Sequence, residues 1–192
     1  MSANAISIVG MLAALLAASC VAITPYVDDS LAFRGAFLAA ALLIPLRLIA
    51  NMLDGMVAVL SKTASPVGEL FNEIPDRLSD AAILIALGYA AGGTPWLGWL
   101  AALSAIMTAY IRATGKNAGA THCFAGPMAK PQRMWIVFAV CLLCAAWPRS
   151  TEFSAPTVAL AVITLGSTLT CIRRLCLITG ELAQPAPPDS DA

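Results

Sequence analysis

Five of the chain's 11 acidic residues, Asp54, Glu69, Glu73, Asp76 and Asp80, crowd into the stretch between Asn51 and Asp80. Read as helix, Asn51, Asp54 and Ala58 stand three and four residues apart, and so do Glu69, Asn72 or Glu73, Asp76 and Asp80. Residues at those spacings share one helix face, so two polar stripes are expected. Left alone, so many carboxylates repel one another and take up protons. Bound divalent cations would keep them ionised, and oxygen ligands without His or Cys point to magnesium, manganese or calcium. Gly55 and Gly68 remove side chains where a ligand or a neighbouring backbone must approach. Pro75 removes one helix hydrogen bond immediately before Asp76.

The elements that carry these stripes must sit in lipid. Of 192 residues, 59% are hydrophobic and only 11% charged, and the mean hydropathy of +0.82 is far too apolar for a soluble domain. At roughly 20 apolar residues per crossing, the chain holds about six spans. Apolar runs and the turn signals at Thr24-Pro25, Ser65-Pro66, Gly92-Gly93-Thr94-Pro95, Gly126-Pro127 and Pro148 predict helices over 5–26, 33–61, 66–92, 95–115, 131–148 and 155–179. The fold class expected is an all-α membrane protein, six transmembrane helices in one bundle spanning residues 1–183. A proline-rich, acidic tail over 184–192 is expected to be disordered. The first run follows Met1 with no basic region or cleavage site, so it reads as a retained helix.

With both termini cytoplasmic, Lys62, Lys116, Lys130, Arg133, Arg173 and Arg174 all fall on the inner side, as the positive-inside rule requires. Asp54 and Asp76 then lie in the cytoplasmic halves of two antiparallel helices and can face one cavity. Each membrane-embedded charge costs ~2.5–3.5 kcal/mol on insertion scales, which rules out facing lipid. Net charge is zero, giving no reason to expect nucleic acid as a partner. The six cysteines form no metal or redox motif and read as small buried hydrophobes. Trp96, Trp99, Trp135 and Trp147 lie near helix ends as interfacial anchors.

Asn51-x2-Asp54-Gly55-x2-Ala58, followed by Gly68, Asn72 and Asp76, resembles the CDP-alcohol phosphatidyltransferase signature, Asp-x2-Asp-Gly-x2-Ala-Arg-x8-Gly-x3-Asp-x3-Asp. Ala3-Asn4-Ala5-Ile6-Ser7 is similar to the family's Pro-Asn-x-Ile-Thr start. Tyr110-Ile111-Arg112-Ala113, Gly126 to Arg133, and Thr170 to Leu175 resemble its fourth helix, the loop after it and its closing helix. The resemblance implies transfer of a phosphatidyl group from CDP-diacylglycerol to an acceptor hydroxyl with release of CMP, assisted by magnesium or manganese, two ions in the family pattern. It implies a homodimer and residence in a bacterial inner (cytoplasmic) membrane. Carried over, Asp54 ligates metal, Asp76 is base or ligand, and Gly55, Ala58, Gly68 and Asn4 line the CDP side. Arg112, Lys130, Arg133 and Arg174 are the candidate clamps for an acceptor phosphate, since cationic forks fit phosphate. Those cations favour a small phosphorylated polyol, with glycerol 3-phosphate, as in phosphatidylglycerophosphate synthases, ahead of inositol phosphate or another alcohol.

The chain departs from the signature at three points: two aspartates are Asn51 and Asn72, and the arginine after Ala58 is Val59. Glu73 adjoins Asn72, and Asp80 lies one turn past Asp76, so two carboxylates return to nearly the same face. The ligand set expected is therefore Asp54, Glu73, Asp76 and Asp80 with Asn51 and Asn72 assisting, and Asp76 and Asp80 are the catalytic candidates. Two other readings compete. A degenerate homologue would bind nucleotide-lipid without turnover, and a cation transporter would use the acids as a path but shows no internal repeat.

Overall fold

A computed structural model describes residues 3–60, 66–121, 124–147 and 154–183, with side chains for all of these except 3–4, 58–60 and 66–72. The apolar runs form α1 (Ala3–Ala22), α2 (Ser30–Leu60), α3 (Pro66–Tyr89), α4 (Pro95–Asn117), α5 (Lys130–Ala146) and α6 (Ala155–Leu182). Among the described residues no strand is present. The first helix stops earlier than its apolar run because Thr24 and Pro25 turn the chain into a 3-10 turn, Thr24–Tyr26. The second begins earlier than the run suggests because Asp29 Oδ2 accepts the Ala32 backbone N–H at 2.7 Å, an N-terminal cap that hydropathy does not register. Lys62, His122 and the tail 184–192 lie outside the described residues.

Among the described residues, four helices, α1, α2, α4 and α6, are long and apolar enough to cross a membrane. Of the other two, α3 carries the acids, and α5 has 17 residues. Large apolar side chains face outward on every helix, among them Leu12, Leu42, Leu78, Leu103, Trp135 and Leu165, the last 72% exposed. Such a girdle is stable only in lipid, and the chain is an integral membrane protein.

The core is built largely from small residues that let helix axes approach, with Ala14, Ala17, Ala40, Ala41 and Ala101 packed around Phe37, Ile44, Leu84 and Leu160. At the α3–α4 crossing, a Cβ on Gly88 would stand 2.9 Å from Gly98 Cα, so both positions must stay bare. The packing order decides where the site lies. α1 packs along both α2 and α3, α5 packs on α2, and α4 bridges α3 to α6. Consecutive helices α2 and α3 thus flank α1 instead of forming the tightest pair, and their polar stripes face a gap.

Candidate active site

That gap is a cleft lined by Ser7 and Gly10 of α1, Arg47, Asn51 and Asp54 of α2, and Asp76 of α3. Asp54 and Asp76 therefore reach one space from opposite walls, as their spacing predicts. Asp54 is 3% exposed. Its Oδ2 accepts a hydrogen bond from Ser7 Oγ at 2.7 Å, whereas its Oδ1 is buried with no hydrogen-bond partner among the described residues. A buried carboxylate oxygen left in that state is costly unless a cation or donor reaches it. Gly55 adjoins it, and a Cβ there would meet nothing within 4 Å among the described residues. Protein packing thus gives no reason for glycine at that position, which is open to an incoming ligand.

Asp76 is held from two sides. Arg47 Nη2 donates to Asp76 Oδ1 and to the Asp76 carbonyl, both at 3.2 Å, and Lys130 Nζ donates to Asp76 Oδ2. The same ammonium reaches Asn51 Oδ1 at 3.1 Å, so it bridges α2 and α3 across the cleft. Lys130 opens α5, and its position is set by the preceding loop. Gly126 sits at φ 130°, a Cβ there would collide with Thr170, and Thr170 Oγ1 accepts the Met128 N–H at 3.0 Å. Arg174 Nε donates to the Ala125 carbonyl at 2.8 Å, pinning the same loop to α6.

Asp80 lies one turn behind Asp76 and is 3% exposed. It does not line the cleft with Asp54 and Asp76 but stands between two guanidiniums, 2.8 Å from Arg47 Nη2 and 3.9 Å from Arg133 Nη2. Glu73 points to another partnership, with Arg77 one turn along α3 and with Arg112 Nη2 at 2.6 Å. Arg112 also lies over the Phe124 ring, 5.4 Å from its centre. Asn4, Ala58, Gly68 and Asn72 sit on helical backbone, but their side chains lie outside those described, as does that of Glu69.

Two of the four cations expected to clamp a phosphate are occupied in holding the bundle together. Arg133 is 1% exposed and donates to Thr108 Oγ1 at 3.3 Å and the Met128 carbonyl at 3.0 Å. Arg174 donates to the Thr108 carbonyl at 2.6 Å. Lys130 and Arg112 keep more access, with side chains 14% and 27% exposed. Sequence reasoning gave Ser7 no role beyond its place in the family-like start, and passed over Thr108 and the bond between Arg47 and Asp76. The visible signal was Arg47 itself, a charge in a long apolar run, one turn before Asn51.

Among the described residues no group of three His, Cys, Asp or Glu side chains is assembled for a metal. The donors that do converge, Asn51, Asp54 with its unpartnered Oδ1, and Asp76, are all hard oxygens and fit a divalent cation of the magnesium or manganese type.

A sequence profile of the CDP-alcohol phosphatidyltransferase family matches residues 1–173. The archaetidylinositol phosphate synthase of Aeropyrum pernix is 28% identical over 144 residues, 75% of this chain and 71% of that protein. The archaetidylinositol phosphate synthase of Methanothermobacter thermautotrophicus is 34% identical over 139 residues, 71% of this chain and 64% of that protein. In fold, the chain superposes on Mycobacterium tuberculosis phosphatidylinositol phosphate synthase with CDP-DAG bound, with a TM-score of 0.75 and 19% identity over 98% of this chain and 92% of that one. The same enzyme in complex with manganese and citrate gives a TM-score of 0.74 at 19% identity, covering 100% and 90%. The relatives' names speak of inositol phosphate and not of glycerol phosphate. With a family profile matching nearly the whole bundle and a signature-bearing pair of helices opening on one cleft, this chain belongs to the CDP-alcohol phosphatidyltransferase family.

Proposed function

We propose that the protein transfers a phosphatidyl-type group from a CDP-activated lipid such as CDP-diacylglycerol to the hydroxyl of a small phosphorylated polyol, releasing CMP. The observation that carries this reading is the cleft in which Asp54, Asn51 and Asp76 meet, with Gly55 next to Asp54 and Lys130 bonded to Asn51 and Asp76. In the reaction, the acceptor oxygen forms a bond to the lipid-bearing phosphorus. The bond from that phosphorus to CMP breaks, and CMP departs with its electron pair. In this reading Asp76 takes the hydroxyl proton, held in orientation by Arg47. A bound divalent cation would neutralise the pyrophosphate and the departing charge, and Asp54, whose Oδ1 is left unpartnered among the described residues, is the residue that would hold it. Asp80, between Arg47 and Arg133, steadies those cations from behind.

For the acceptor, inositol phosphate is favoured over glycerol 3-phosphate, because the curated relatives are named as inositol phosphate synthases. Lys130 and Arg112 are the cations with enough access to meet its phosphate. In this reading all six helices of residues 1–183 cross a bacterial inner membrane as one domain. Both termini are cytoplasmic, and the cleft opens to the cytoplasm, where phosphorylated polyols are found.

The test is the lipid product formed by purified protein given magnesium or manganese, CDP-diacylglycerol and a panel of inositol phosphate, glycerol 3-phosphate and free inositol. Mass spectrometry should detect a phosphatidylinositol phosphate, with little product from free inositol. CMP release with none of the three acceptors would overturn the assignment.

A further inference from the structure

Two of the acids around the cleft are matched before any ion arrives. Asp76 and Asp80 pair with Arg47, Lys130 and Arg133, and Asp54 with none of these three. Both oxygens of Asp76 are engaged, one by Arg47 and one by Lys130. Asp80 is enclosed by the two arginines. Lys130 Nζ also reaches Asn51 Oδ1, so it lies between an α2 oxygen and an α3 oxygen, the placement of an ion bridging the two stripes. Among the described carboxylate oxygens of the cleft, only Asp54 Oδ1 combines burial with the lack of any charged or hydrogen-bonding partner.

We infer that this protein binds a single divalent cation, seated on Asp54, and that the Lys130 ammonium, bridging Asn51 and Asp76, takes the place of a second. The physical reason is electroneutrality. Asparagine at position 51 supplies an oxygen dipole but no charge, so an ammonium of one positive charge is matched there, and among the described residues a second dication would find no carboxylate free to offset it. Arg47 adds to the same arrangement. Its Nε and Nη1 are buried without hydrogen-bond partners among the described residues, leaving two donors at the cleft wall for the phosphate oxygens that a second ion would otherwise neutralise.

This inference rests on the metal-assisted transfer proposed above, and the experiment separates the two. Purified full-length protein in detergent micelles is titrated with Mn2+ in the presence of CDP, and bound ions per chain are counted by electron paramagnetic resonance, with CMP release measured on the same preparation. The wild type should bind one Mn2+ per chain, with an uncoupled six-line spectrum. Lys130→Arg, which keeps the charge, should also bind one. The double variant Asn51→Asp with Lys130→Met should bind two, with the broadened spectrum of a coupled pair. Two coupled ions in the wild type overturn the assignment and leave the transfer reaction standing, a result that needs no variant to fold. A double variant that folds and still binds one removes Lys130 from the role. No bound Mn2+ in a preparation that releases CMP overturns the inference together with the ion proposed for transfer.

Discussion

Arg47 is 2% exposed and holds two carboxylates at once, Asp76 at 3.2 Å and Asp80 at 2.8 Å. Removing one member of such a buried network leaves the others charged and unpaired, which typically costs about 3–5 kcal/mol. Arg47→Met should therefore lower the melting temperature of the detergent-solubilised protein by many degrees, and Arg47→Lys by less. A melting curve unchanged in Arg47→Met would show that the pairs contribute nothing. The carboxylate pattern was legible in the sequence because helical periodicity alone puts Asn51 and Asp54 on one face and Asp76 and Asp80 on another. Which cation serves which acid was not. Arg77 stands next to Asp76 in the chain but pairs with Glu73, and the charge that reaches Asp76 comes from Arg47 and Lys130 on other helices. The partner of Ser7 was hidden for the same reason, since nothing in a serine of an apolar helix announces a bond to α2.

The six helices were readable from apolar runs and turn residues, and their limits moved by a few residues, at Pro25 and the Asp29 cap because local chemistry overrode hydropathy, and also at the C-terminal ends of α3 and α6. Their neighbours were less readable. Chain order suggests α2 against α3, yet α1 packs on both, and the resulting gap is what leaves room for a ligand. The loop before α5 is a second case. Gly126 at φ 130° lies where a side chain is strained, and any Cβ meets Thr170. Such strain costs about 1–3 kcal/mol. Gly126→Ala should shift the loop, displace Lys130 from Asp76, and reduce CMP release by several-fold or more with the helical circular dichroism intact. Full activity in that variant would mean that the loop does not set the lysine's position.

For the molecule in its membrane, composition is decisive. An apolar fraction this high dictated helices in lipid, and outward-facing Leu12, Leu42 and Leu165 are the surface it produces. The inside-positive arrangement puts the 3-10 turn near Tyr26, 84% exposed, on the outer face and the α4 end near Lys116 on the inner one. In a background with the native cysteines replaced by alanine, Tyr26→Cys should react with an impermeant maleimide in intact cells and Lys116→Cys only after permeabilisation. The opposite pattern would reverse the orientation and move the cleft to the outer face.

The central claim is that Asp54 and Asp76, meeting in one cleft, carry the transfer. CMP released from CDP-diacylglycerol in the presence of inositol phosphate should fall by about 10²-fold or more in Asp54→Asn and in Asp76→Asn, in line with the loss of a positioned acid or base. Asp29→Asn serves as the control, because asparagine caps a helix as well as aspartate does and the residue lies at the far end of α2. Its rate should stay within about twofold of the wild type. Wild-type CMP release from either cleft variant, or an equal loss in all three, would contradict the account.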